Sequence, residues 1–90
     1  MAGAGIERLI LYELCVQNAA AAVRLISSAM GDRPAPVLHE DFCGSGAVSR
    51  EWVASLEGAA AVATDLDIDA LAFGSECAVA RGIAAERITW

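Results

Sequence analysis

The chain has 90 residues, room for one small domain, and a chain of this size buries only a modest share of its unfolded surface. Apolar residues make up 57% of it, which argues against disorder, although alanine supplies much of that count and contributes little area per residue. A formal charge of −6, with 12 acidic residues against 6 basic ones, leaves no basic face to neutralise phosphates and argues against nucleic acid as a partner of this segment.

From Ile6 to Met30 the residues are good helix formers without an internal proline or glycine, and Gly31, Pro34 and Pro36 supply a stop and a linker. The expectation is one long helix, covering either a site or a sheet. Its apolar residues Ile6, Leu9, Ile10, Leu14, Val23 and Ile26 recur near helical spacing. Glu13, Gln17 and Asn18 interrupt the stretch, and Glu7 stands where a signal peptide would carry positive charge, so neither a membrane span nor a secretion signal is read here.

Val37 to Asp41 is a short extended run that leads into the glycine-rich Cys43-Gly44-Ser45-Gly46. Ala47 to Glu57 follows as an amphipathic helix, with Val48, Trp52, Val53 and Leu56 at three-and-four spacing and Gly58 in the position of a C′ glycine. Ala60 to Thr64 is a second apolar run ending at Asp65, and Asp67 is placed to cap a helix running to about Arg81 and closed by Gly82. Arg87 to Trp90 begins a third β-prone run. The alternation predicts a parallel α/β sheet in spatial order 3-2-1. We expect residues 1–36 to form the helix and linker and 37–90 the first part of a Rossmann-like, doubly wound domain interrupted in its third strand.

Chemistry concentrates at Glu40-Asp41-Phe42-Cys43-Gly44-Ser45-Gly46 and at Asp65. In an open parallel sheet, ligands sit beyond the carboxyl ends of the strands, so the turn after the first strand and the end of the second face one crevice. Glycines at 44 and 46 permit close backbone approach and positive φ, and the helix start beyond them offers N–H groups to an anionic group. Asp65 has the placement of the acid that receives both hydroxyls of a ribose, which implies an adenosyl ligand. Glu40 and Asp41 would repel a pyrophosphate but favour a sulfonium and an ammonium, which turns the choice toward S-adenosylmethionine and away from a dinucleotide.

The segments VLHEDFCGSGAVSREW and AVATDLDIDAL resemble motif I and the following acidic motif of class I S-adenosylmethionine-dependent methyltransferases. The resemblance covers residues 37–71. In the family's acid-x-Gly-x-Gly-x-Gly pattern, Glu40 takes the acid, Gly44 and Gly46 the later glycines, and Phe42 departs from the first glycine. It implies Glu40 near the methionine moiety, with Asp41 able to take over part of the acid role, backbone at Gly44 and Gly46 lining it, Asp65 on the ribose and Leu66 on the adenine, and Phe42, Cys43 and Ser45 as further cofactor-binding residues of the loop. The methyl acceptor is not readable, and no catalytic residue or metal ligand is assigned.

Two other readings stay open. One is an NAD(P)-binding segment of an oxidoreductase, drawing on the spacing Gly44-x-Gly46-x-x-Ser49 and on Asp65. The other is a truncated chain without activity, self-associating through the unpaired outer edge of the first strand. Cys15, Cys43 and Cys77 are too widely spaced for a disulfide framework or a Cys-x-x-Cys site, and a reducing, cytoplasmic setting is expected. The helix start beside Cys43 favours a thiolate, yet the sole histidine, His39, alternates away, so Cys43 is not read as a nucleophile. Asp67 and Asp69 read as helix-start residues, Trp52 and Phe73 as core, and Cys15 and Cys77 as packing residues. Tyr12 fits either a lid over the cofactor or a solvent-facing position.

Overall fold

A computed structural model describes the backbone of residues 3–15, 18–31 and 37–90. In chain order it contains α1 (Gly3–Cys15), α2 (Ala19–Met30), β1 (Val37–Asp41), α3 (Ala47–Ser55), β2 (Ala60–Thr64), α4 (Ile68–Ala80), a short 3₁₀ turn (Ala85–Arg87) and β3 (Ile88–Thr89). Three parallel strands form one sheet in the order β1-β2-β3.

The long first helix of the sequence reading is two helices. Asn18 is the cause on the α2 side: its side-chain oxygen accepts a 3.0 Å hydrogen bond from the Ala21 N–H, so it caps a new helix where good helix formers on either side favour continuity. The other end of α2 is as expected, with Gly31 at φ 64 after Met30. Pro34 and Pro36 lie outside the described residues, as do the side chains of Tyr12, Leu14 and Cys15. Leu9 and Val23 are buried and Ile26 packs on the core, whereas Ile10 is exposed.

Helix α3 stops at Ser55, two residues short of the expected end. Leu56 turns to an extended conformation and its carbonyl accepts from the Ala59 N–H at 3.1 Å, so Gly58, at φ 75, sits inside the turn into β2 and not at a helix C′ position. Helix α4 behaves as read. Asp67 caps it through a 3.1 Å bond from the Ala70 N–H, and Asp69 lies in its first turn. At its other end the N–H groups of Gly82 and Ile83 donate to Val79 and Ala78, the paired bonds of a Schellman ending.

Register pairs Leu38 with Ala61, Glu40 with Ala63 and Ala61 with Ile88, and this face is buried beneath the helices. Trp52 and Val53 of α3 fill the core against Val23, Cys43, Ala59, Ala61, Ala63, Ala78 and Ile88. The small residues of β2 add little area, so Trp52 and Val53 supply most of the bulk. On the opposite face Val37, His39, Asp41, Thr64 and Thr89 are exposed, so among the described residues helices cover one side of the sheet. Phe73, read as core, is half-buried and lines a cavity between α1 and α4. No described helix is long and apolar enough to cross a membrane.

Candidate functional site at the carboxyl ends of the strands

Strand β1 ends at Asp41, and the chain then turns through Phe42 at φ 54, Gly44 at φ 59 and Gly46 at φ 72 before α3 begins. Left-handed backbone is free for glycine but costs a side chain of ordinary size roughly 1–2 kcal/mol. Phe42 thus keeps the conformation a glycine would adopt and bears that cost, while its ring is 88% exposed and recovers nothing from packing.

The turn is held by the end of β2. The Cys43 N–H donates to the Thr64 carbonyl at 3.0 Å, and the Gly44 N–H donates to Asp65 Oδ2 at 2.8 Å. Asp65 Oδ1 accepts from the Asp67 N–H, also at 2.8 Å. These bonds from the Asp67 backbone and then the Gly44 backbone hold the Asp65 carboxyl below its ordinary value, so it is charged throughout the neutral range. A carboxylate offers about four acceptor sites, more than these backbone donors occupy.

Asp41, Phe42, Thr64, Asp65 and Leu66 line a cavity of about 310 Å³ at this end of the sheet. Leu66 is 94% exposed, so two large apolar side chains flank two carboxylates there. A larger cavity, about 530 Å³, lies between α2 and α3 and is lined by Ala20, Ser28, Glu51 and Ser55 among others.

The other residues read as site residues turn inward. Glu40 Oε1 accepts from the Ser49 hydroxyl at 2.6 Å and from the Ser49 N–H at 3.2 Å. It therefore caps the first turn of α3 from outside, because the N-cap, Gly46, has no side chain to do so. Cys43 is fully buried in the core, and its thiol is pushed up to about 11 by burial and then by the charges of Glu40 and Asp65. The helix-start effect that would favour a thiolate is overridden, and a neutral thiol is no nucleophile. Ser45 is buried with its hydroxyl on Glu13. Gly46 meets the Trp90 ring, which a Cβ would approach to 2.5 Å, so the absence of a side chain makes room for the chain's own indole.

Thr64, Glu13, Arg50, Gly74 and Trp90 join or support this region without having been singled out in the sequence for it. Two of them carried a readable signal. Glu13 is an acid inside an apolar stretch, and Gly74 is a glycine inside a helix, where it costs about 1 kcal/mol relative to alanine unless something packs against it. A Cβ on Gly74 would lie 2.0 Å from the Ser45 carbonyl oxygen. No family model, curated protein or solved structure matches the chain.

Proposed function

We propose that the chain is an S-adenosylmethionine-binding segment of a Rossmann-like methyltransferase domain, with the cofactor across the carboxyl ends of β1 and β2. The observation that carries this reading is Asp65: each of its two oxygens accepts a 2.8 Å bond from a backbone N–H, and the residue lines a cavity flanked by Phe42 and Leu66. That arrangement suits a vicinal diol next to an adenine ring, the carboxylate receiving the hydroxyls and the apolar side chains the base.

The choice of adenosyl ligand rests on charge. Asp41 and Asp65 both line the cavity, and two carboxylates repel a pyrophosphate but attract a sulfonium or ammonium. Glu40 is engaged with Ser49, so the acid role at the end of β1 passes to Asp41. Bound there, the cofactor supplies an electrophilic methyl group, and the residues of this chain hold and orient it.

Calorimetric titration of S-adenosylhomocysteine and, separately, NAD tests the reading. The expected outcome is binding of the first alone, weakened about tenfold or more in Asp65→Asn, whose amide retains one acceptor oxygen. Binding of NAD alone would favour an oxidoreductase segment. Binding of neither would leave the cofactor reading without support.

A further inference from the structure

Helix α1 reaches the glycine loop through Glu13. Glu13 Oε2 accepts from the Ser45 hydroxyl and from Arg50 Nη2, the latter at 2.9 Å, with the Arg50 and Glu13 side chains 11% and 21% exposed. Arg50 Nη2 also lies 3.5 Å from the Ser45 hydroxyl, so helix, loop and α3 meet at one cluster. Ser45 is gripped from the other side as well, because α4 approaches its carbonyl at Gly74 with no room for a Cβ. Its peptide is thus clamped between α1 and α4, next to the Gly44 N–H that holds Asp65.

Among the described side chains of α1, Leu9 is buried, Ile6 is half-buried, and Ile10 and Leu11 are 43% and 59% exposed, and Glu13 adds the polar contact with the loop. Withdrawing it leaves a buried guanidinium without its counter-ion, a costly state that resists undocking.

We propose that Glu13 is a positioning residue, a latch that makes docking of α1 and ordering of the Cys43–Gly46 turn one linked equilibrium. Given the S-adenosyl reading above, on which this extension rests, the latch also raises affinity at Asp65, and by reciprocity the ligand tightens α1.

Amide hydrogen exchange on the chain without ligand reads the latch directly. In Glu13→Gln, which keeps an acceptor of the same shape but removes the charge, exchange at Gly44, Ser45 and Gly46 and along α1 is expected to rise together, on the order of tenfold, with β2 unchanged. Ser45→Ala removes the loop's half of the contact and is expected to loosen α1 as well, which serves if Glu13→Gln does not fold. Wild-type exchange at the loop while α1 opens, or at α1 in Ser45→Ala, overturns the latch.

With S-adenosylhomocysteine, the wild-type chain is expected to show slower exchange in α1, and Glu13→Gln to bind it about tenfold more weakly. Equal affinity in the two chains overturns the link to the ligand. Failure of the wild-type chain to bind would count against the cofactor reading, and the ligand-free exchange would still decide the latch.

Discussion

Phe42 combines left-handed backbone with an aromatic ring that is almost wholly exposed. Replacing it by glycine removes the backbone cost of roughly 1–2 kcal/mol and gives back part of it, about 0.5–1 kcal/mol, as greater freedom of the unfolded chain. Phe42→Gly is therefore expected to be equal to the wild type in thermal stability or slightly above it, while S-adenosylhomocysteine binds more weakly because an apolar wall of the cavity is gone. A melt and a titration on the same sample check both halves, and a loss of stability with unchanged affinity would make Phe42 a packing residue. Cys43 gives the opposite expectation. With its thiol raised from 9.0 to about 11, the folded state favours the neutral form, so its contribution is complete below pH 9 and is lost as pH rises through about 11. Alkylation at pH 8 should reach Cys43 at the rate of unfolding, with stability by denaturant titration falling above pH 9. Asp65 was legible in the sequence because an acid at a strand end needs no knowledge of sheet faces. The bond between Glu40 and Ser49 was not: adjacent strand residues point to opposite faces, and only the position of α3 tells which of Glu40 and Asp41 is turned toward Ser49.

Among the elements, the βαβ alternation was readable from short apolar runs and capping residues, and Asp67 and Gly82 bound α4 as their chemistry requires. The break at Asn18 was the failure. Propensity summed over Ile6 to Met30 outweighs one capping side chain on paper, yet a single 3.0 Å bond from the Ala21 N–H starts a second helix. Gly74 was equally silent about its partner, since a helix interior does not announce which loop it will meet. Its role makes a sharp prediction at this scale. Gly74→Ala gains about 1 kcal/mol in helix propensity, but places a Cβ 2.0 Å from a backbone oxygen, which cannot swing away as a side chain does. The net is expected to be destabilising by about 1–3 kcal/mol in denaturant unfolding, with the glycine loop displaced. A more stable alanine variant would mean that α4 and the turn do not touch as described.

At the scale of the molecule, the sheet has a helical layer on one face and exposed Val37, His39 and Thr89 on the other, over a core whose strands contribute mostly alanine. Total stability is expected at the low end of the range for small domains, so a ligand's share of it should be conspicuous. A ligand that binds only the folded state stabilises it by about 2.7 kcal/mol at one hundred times its Kd. For a domain of 60–100 residues each 1 kcal/mol moves the melting temperature by about 4–8 °C, so S-adenosylhomocysteine at that excess should raise it by roughly 10 °C or more. NAD at the same concentration should leave it unchanged, and Asp65→Asn, binding about tenfold more weakly, should cut the shift to roughly half. The proportion matters more than the shift. A stabilisation that survives removal of the Asp65 charge undiminished would come from another surface, such as the larger cavity between α2 and α3, and the ligand would then have no claim on the carboxyl ends of the strands.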